Sequence, residues 1–257
     1  ARKGKTDPWV DLMLKPTTDF GNKDKQYLLK NPWNALGMSS VQMSRFPEYE
    51  ALKNRLDDQK ENAKFTEQEL RDIKFFFYLA NFDPDFLKGA VSLPDGSVCD
   101  LSDLVEYRVN EKKFYLKKKM AEADCQRMVV ESYKVMANVI PVHKALQYNA
   151  ANHTGQIDII TTPFYHPILP LIFNSDLARI CQPNDLLPTR YAYPQDANAQ
   201  VAKAVKFYKE TFGSQPTGMW PGEGSVAQPV LSVFRNNGVL WTATDVKVLQ
   251  RSDPENQ

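Results

Sequence analysis

The chain lacks both a long hydrophobic run and an excess of either charge. Its 257 residues contain no apolar stretch of about 18 residues, the length that a membrane-spanning helix needs. The 32 Lys and Arg residues nearly balance the 31 Asp and Glu residues, so no charged surface indicates nucleic acid or an anionic membrane. We therefore expect neither a nucleic-acid partner nor a membrane partner. The sequence carries no signal for an oligomeric state.

Cysteine is also scarce, with three residues that lie far apart and form no CxxC motif: Cys99, Cys125 and Cys181. An odd and sparse set argues against a disulfide framework or a zinc ribbon and favours a reducing compartment. The basic start of the chain has no apolar segment behind it, as a secretory signal would have. These features predict a cytoplasmic location. No cluster of residues has metal-ligand spacing, so neither a catalytic metal nor a cofactor is expected.

The first 150 residues show helical patterns and loops but no convincing strand. Thr66 and Glu69 form a capping box that opens an amphipathic helix. Residues 88–103 are expected to be a loop with a turn at 94–97. The longest helical tract has Phe114 and Leu116 on its buried side, and Pro141 is expected to interrupt it. The predicted helices cover 23–30, 46–56, 66–81 and 110–150.

After residue 150 the pattern changes to short β-branched segments that alternate with helices. Strands are predicted at 155–162, 218–220 and 239–244. A helix over 197–212 has Asp196 as its expected N-cap and Gly213 as its stop, and a second helix covers 226–236. Helices between strands imply a parallel sheet, and in such sheets the chemistry collects at the carboxyl ends of the strands. The sequence therefore predicts an α/β fold for residues 151–257.

Glu223 is the leading candidate for a reactive side chain. It lies between two glycines, directly after Trp-Pro, at the end of a predicted strand. The glycines allow backbone and substrate to come close. Asp158, His166 and Asp245 also belong to or follow the three strands, and we expect them to point toward one cleft with Glu223.

Each candidate also has a purely structural interpretation. Asp158 could bond to nearby backbone, and His166 could pack between Pro163 and Pro167. Asp245 could cap a following helix, which is the interpretation we favour. Two tryptophans could stack on sugar rings or fill the core of the fold, and we favour the core: Trp220 and Trp241.

Five segments of the sequence resemble one family of enzymes. They read GQIDIITTPFYHPILPL at 155–171, YPQDA at 193–197, FG at 212–213, GMWPGEGSV at 218–226 and WTATD at 241–245. A weaker likeness is found nearer the N-terminus, in FDPD at 82–85, FTEQELRD at 65–72 and LKP at 14–16. The chain in this way resembles glycoside hydrolase family 57, which includes α-amylases, amylopullulanases, glucanotransferases and branching enzymes. The segments at 155–171 and 218–226 are the specific ones.

The resemblance implies part of a (β/α)7 barrel with parallel strands and a large helical insertion. Residues 1–150 would be mainly this insertion, and residues 151–257 the barrel segment with the nucleophile motif. The implied activity is that of a retaining hydrolase or transglycosylase acting on α-glucans such as starch or glycogen. Glu223 would be the catalytic nucleophile, and four further residues would bind substrate: Asp158, His166, Trp220 and Asp245.

The sequence also departs from the family pattern. The family's first motif, His-Gln-Pro at the end of the first strand, is absent, because none of the three histidines precedes Gln-Pro. The second motif usually has Glu where this chain has Asp158. The family's general acid is an Asp far downstream of the nucleophile, and Asp245 matches a different family segment. We therefore expect the acid beyond Gln257, and the chain to be the middle of such a domain.

Two other classes of function remain open at this point. A non-catalytic relative that binds glucan or serves as a structural subunit would explain the absent first motif and Asp158. A metal-dependent deacetylase on a similar barrel would need an Asp-Asp and His-His metal set, which the sequence does not show.

Overall fold

The computed structural model of the chain describes residues 6–30, 35–149 and 151–252. The chain divides into two compact units, Ala1–Pro141 and Val142–Gln257. The boundary falls inside one long helix, Glu122–Leu146. The basic N-terminal start and residue 150, where the predicted helical tract ends, lie outside the described residues.

The first unit is mainly helical and encloses a large apolar core. Aromatic rings form its centre, where Tyr49 stacks on Phe76 with ring centroids 5.1 Å apart and Phe46 packs 5.7 Å from Phe76. Its helices are α1 Pro8–Leu14, α2 Asn22–Lys30, α3 Ser40–Met43, α4 Pro47–Gln59, α5 Glu67–Leu79, α6 Pro84–Lys88 and α7 Glu122–Leu146.

The predicted capping box at the start of α5 is confirmed. The Thr66 side chain accepts a hydrogen bond from the Glu69 amide, and the Glu69 carboxylate accepts one from the Thr66 amide at 2.8 Å. These two bonds satisfy amides that would otherwise have no partner at a helix start. The local sequence therefore determines where this helix begins.

The prediction that the first 150 residues contain no strand is wrong. Two antiparallel hairpins are present, formed by β1 Val91–Ser92 with β2 Val98–Cys99 and by β3 Val105–Arg108 with β4 Lys113–Leu116. The expected turn at 94–97 closes the first hairpin, where the Leu93 amide bonds the Ser97 carbonyl at 2.8 Å. Phe114 and Leu116, assigned to a helix from their spacing, lie on β4, because two apolar residues fit either period.

The long helix differs from its prediction in two respects. It begins at Glu122, after β4, and it continues through Pro141 to Leu146 without the expected interruption. Proline removes one backbone donor from the helix, and the residues around Pro141 are exposed.

A buried ion pair joins α5 to α7. The Lys74 side chain is fully buried, and its Nζ lies 2.8 Å from Glu122 Oε2 and 2.7 Å from the Lys15 carbonyl. Arg71 and Thr17 also donate to the Glu122 carboxylate, each at 2.7 Å. A buried ammonium is tolerated only with such partners, so this network ties the N-terminal segment to both helices.

The second unit has a smaller core, in which Met219 of a short strand packs with apolar side chains of three helices. Bilayer crossing would need a longer and more apolar helix than any in the described part of the chain. The helices of this unit are α8 Leu169–Phe173, α9 Ala178–Cys181, α10 Pro194–Phe212, α11 Gln228–Asn236 and α12 Val246–Ser252, and its strands are β5 Gly218–Met219 and β6 Trp241–Thr242.

The predicted parallel arrangement is confirmed at β5 and β6. Gly218 pairs with Trp241, whose indole lies over the glycine, 2.3 Å from where a Cβ would stand. In place of the predicted strand at 155–162, the structure has only isolated β-bridges. One of them pairs Thr161 with Met219 in the parallel direction. The first half of this segment pairs instead with the chain that leaves α7, since the Tyr148 amide bonds the Ile157 carbonyl at 2.7 Å.

The unit is thus α/β, with the order Thr161, β5, β6 and parallel pairing between these three neighbours. The described residues form three two-stranded sheets, and a closed barrel is not seen among them.

The helix α10 starts earlier than predicted. It begins at Pro194, so Asp196 lies in its first turn and is not the N-cap. Proline suits the first helical position because its missing N–H would have no partner there. The expected stop is confirmed, since Gly213 adopts a left-handed φ of 81° and donates to the Lys209 carbonyl at 2.8 Å.

Candidate active site

The candidate site lies at the carboxyl ends of the parallel strands in the second unit. Thr161 leads into the loop 162–167, β5 leads into the turn 220–224, and β6 leads toward Asp245. The Trp220 amide donates to the Thr161 carbonyl at 2.8 Å, so the first two segments leave the sheet side by side.

Glu223 lies in a tight turn of one 3-10 helical segment, Gly222–Gly224. Its backbone is left-handed, with φ 56° and ψ 23°, a conformation that is uncommon for a residue with a Cβ. The turn is closed by bonds from the Gly224 amide to the Pro221 carbonyl at 2.9 Å and from the Ser225 amide to the Gly222 carbonyl at 3.1 Å. The side chain is 69% exposed.

Gly222 allows this turn to press against the neighbouring loop. A Cβ at this position would stand 2.2 Å from the Pro167 carbonyl oxygen and 3.2 Å from that of His166. Real Cβ atoms do not approach oxygen so closely, so only glycine fits without a shift of the backbone. The close approach therefore sets the distance between the two loops.

This approach brings His166 to Glu223. The imidazole Nδ1 lies 3.6 Å from the carboxylate Oε1. The His166 backbone is also left-handed, with φ 54°, and its amide donates to the Pro163 carbonyl at 2.8 Å. Two side chains on two strained turns thus face each other at the same sheet edge, which is the kind of strain found at functional sites.

Trp220 belongs to the same group of residues. Its indole lies 3.5 Å from where a Cβ of Gly224 would stand, so the ring packs beside the Glu223 turn. It is partly exposed and therefore retains a free surface.

Asp158 is not brought to Glu223 in the way that we expected. Its Oδ2 accepts a hydrogen bond at 3.0 Å from the hydroxyl of Thr217, which precedes β5. It stands three residues before the bridge at Thr161, about 10 Å along an extended chain, toward the amino end of the strands. Burial, and next the charge of Asp158, raises the pKa of Tyr208, whose hydroxyl bonds the Ile159 carbonyl at 2.7 Å.

Asp245 follows β6 and lies at the start of α12. Its Oδ1 accepts a hydrogen bond at 2.8 Å from the Lys247 amide. This is the bond of a helix cap, in agreement with the interpretation that we favoured from the sequence.

Glu223 stands on an open edge, where most of its side chain is exposed. A mainly apolar cavity of about 440 Å³ begins just after its turn, lined by Ser225, Val226 and residues of α8, α9 and α11. Glu223 is not among its lining residues. Within the described ranges, no three or more His, Cys, Asp or Glu side chains gather as a metal site would require.

Sequence reasoning missed three residues beside His166. Tyr165 is exposed, its amide donates to Gln200 Oε1 at 3.1 Å, and its hydroxyl accepts from Lys203 Nζ at 2.8 Å. Gln200 and Lys203 are three positions apart on α10, which places them on one helix face. Their spacing was visible in the sequence, but the loop that they contact was not.

An exposed carboxylate at the end of a parallel strand, with a histidine beside it, is how α/β enzymes present reactive groups. The chain belongs to glycosyl hydrolase family 57, because the model of that family matches residues 29–253. Comparison with curated proteins and with solved structures gives no match. Family membership makes the chain a glycoside hydrolase or transglycosylase, with carbohydrate as its substrate. The match contains all five candidate residues.

Proposed function

We propose that the chain is part of a retaining α-glucan hydrolase or transglycosylase on a (β/α)7 barrel, with Glu223 as its nucleophile. The main support for this proposal is the position of the Glu223 carboxylate. It lies on a left-handed turn after β5, and its Oε1 is 3.6 Å from His166 Nδ1. Trp220 is the adjacent sugar platform. Substrate contacts of Asp158 and Asp245 remain part of the proposal, but their hydrogen bonds to Thr217 and to the Lys247 amide do not support them.

The reaction would proceed by double displacement. An oxygen of the Glu223 carboxylate attacks the anomeric carbon, while the glycosidic oxygen leaves with a proton from a second carboxylic acid. The product of this step is a glycosyl ester on Glu223. Water or a sugar hydroxyl then attacks the same carbon, gives its proton to the second carboxylate, and releases Glu223. Two inversions at one carbon retain its configuration.

The chain's own contribution is the position of the nucleophile. The Gly222 approach and the turn bonds hold the Glu223 backbone, and His166 stands beside the carboxylate. A nucleophile held in this way loses little orientational freedom in the transition state. The second carboxylic acid is not assigned to a residue of this chain.

The test uses α-maltosyl fluoride, because fluoride leaves without a proton from a general acid. Each attack would release one fluoride ion and leave one maltosyl ester on the chain. We expect fluoride release with the wild type and a loss of about a thousand-fold or more with Glu223→Gln. The matched control is Glu210→Gln, which changes an exposed carboxylate on α10. Mass spectrometry of peptides should place the trapped ester on Glu223.

Two outcomes would contradict the nucleophile assignment: unchanged fluoride release by Glu223→Gln, or a maltosyl ester on another residue. A non-catalytic glucan-binding relative is the second candidate, favoured by the absent His-Gln-Pro motif and by Asp158. It predicts that the wild type binds maltohexaose but releases no fluoride from α-maltosyl fluoride. Fluoride release separates these two functions, because both of them predict binding of maltohexaose.

A further inference from the structure

An exposed group of aromatic rings lies on the loop 163–167 and the outer face of α10. Tyr165 is 68% exposed and Phe207 is 58% exposed. Between them stands Phe164, whose ring centroid is 4.8 Å from that of Tyr165 and 5.7 Å from that of Phe207, both edge to face. The three rings contact one another in a row and form a continuous apolar strip, of which the Tyr165 and Phe207 rings are mostly exposed to solvent.

The Tyr165 ring is held in place although it is not buried. Its amide is bonded to Gln200, its hydroxyl is bonded to Lys203, and the edge of Phe164 supports its side. Lys203 Nζ also lies 4.5 Å from the centroid of the Tyr165 ring and 4.2 Å from that of Phe164. An exposed side chain with this many restraints has lost much of its rotamer freedom in advance, which lowers the entropic cost of binding a ligand.

The location connects this strip to the candidate active site. Tyr165 directly precedes His166, so the Cα atoms of the two residues are about 3.8 Å apart. The His166 imidazole in turn contacts the Glu223 carboxylate. A chain of sugars with one unit at Glu223 can therefore place a neighbouring unit on the loop.

The chemistry of the strip suits a sugar. A pyranose has an apolar C–H face, which packs on an aromatic ring, and hydroxyl groups at its rim, which need hydrogen-bond partners. Tyr165 supplies the ring, and Gln200, Lys203 and the Tyr165 hydroxyl supply the polar groups. The Lys203 ammonium lies at the hydroxyl end of the ring, and the Tyr165 side chain is largely exposed.

We propose that Tyr165, supported by Lys203 and Phe164, forms a binding platform for a glucan unit next to the one at Glu223. The platform holds long substrates and takes no part in bond cleavage. The identity of the sugar chain rests on the proposed function, whereas the platform itself does not depend on Glu223 being the nucleophile.

The experiment is a calorimetric titration of the full chain with maltohexaose. We expect Tyr165→Ala to weaken binding about threefold to tenfold, the range expected for loss of one aromatic contact. Tyr165→Phe keeps the ring and should stay within about twofold of wild type. Tyr148→Ala is the matched control, because Tyr148 is an exposed tyrosine of the same unit whose hydroxyl bonds His153. It should bind as the wild type does.

A second measurement does not depend on a folded variant. In wild-type protein with labelled tyrosine rings, maltohexaose should shift the NMR signals of the Tyr165 ring and leave those of Tyr148 in place.

Equal affinity of wild type and Tyr165→Ala for maltohexaose, an unmoved Tyr165 signal, or no binding of maltohexaose by the wild type overturns the platform. Failure of the nucleophile assignment looks different. In that case Glu223→Gln keeps its fluoride release while Tyr165→Ala still weakens maltohexaose binding.

Discussion

His166 Nδ1 lies 3.6 Å from Glu223 Oε1, and both residues have a left-handed backbone, with φ 54° and φ 56°. The two side chains come from loops that follow different parallel segments of the sheet. The distance between the two side chains is set by backbone packing between the loops, because Gly222 lies against the Pro167 carbonyl with no room for a Cβ. This packing therefore places the imidazole beside the carboxylate.

The first prediction concerns this contact. His166→Asn should lower fluoride release from α-maltosyl fluoride about 10- to 100-fold, because the carboxylate loses its neighbour and samples other orientations. Asparagine is chosen because it tolerates a left-handed backbone, so the loop should fold as before. His153→Asn, at a second left-handed histidine with φ 55°, is the control and should be nearly neutral. A full rate in His166→Asn would show that the imidazole does not position Glu223.

The second prediction concerns Gly222. Gly222→Ala should reduce stability by about 1–3 kcal/mol, because its Cβ would stand 2.2 Å from the Pro167 oxygen and the loops must separate. Fluoride release should fall as well, since Glu223 moves with its turn. The measurements are urea unfolding and the fluoride assay.

Gly89→Ala is the matched control for Gly222→Ala. No atom lies within 4 Å of a Cβ at this position, and its φ of 173° is extended backbone that any residue adopts. Its stability should stay within about 0.5 kcal/mol of wild type. Equal effects of the two substitutions would mean that the close approach between the loops carries no constraint.

The third prediction concerns the buried network in the first unit. Burial opposes ionisation of Glu122, but hydrogen bonds from Lys74, Thr17 and Arg71 outweigh it and lower its pKa to about 2. The unfolded chain takes up this proton near pH 4.3, so falling pH favours unfolding. The stabilisation, about 3 kcal/mol, is fully present above about pH 5 and is lost as pH falls toward about 2.

Glu122→Gln should therefore lower the unfolding free energy by about 3 kcal/mol at pH 7, and the difference from wild type should shrink steadily below pH 5. Urea unfolding across this pH range measures it. Glu106→Gln removes an exposed carboxylate of the same unit and should change stability by less than about 1 kcal/mol at every pH. A pH-independent difference for Glu122→Gln would contradict the assigned role of the ion network.

Several elements could be predicted because their signals are local. The capping box at Thr66 and the glycine stop at 213 each depend on residues within a few positions of the helix end. The alternation of strand and helix after residue 155 likewise indicated parallel pairing, which β5 and β6 show. Such features follow from backbone geometry over one or two turns.

Other features depend on distant partners and could not be predicted. Phe114 lies on a strand because it packs against Phe46 and Tyr107, and its spacing from Leu116 alone fits a helix equally well. Lys74 lies on the buried side of α5 only because Glu122 reaches it from another helix, 48 positions along the chain. A lysine in a helical pattern is otherwise read as a solvated residue.

For the candidate site, the sequence by itself determined the family and the segment around Glu223, because two glycines, a proline and a carboxylate form a local turn whatever lies near it. Only the tertiary structure decided which candidates meet that carboxylate. His166 does, because its loop and the Glu223 turn leave the sheet at the same edge. Asp158 bonds Thr217 instead. It precedes the bridge at Thr161, so it lies toward the amino ends of the parallel strands, whereas Glu223 follows their carboxyl ends.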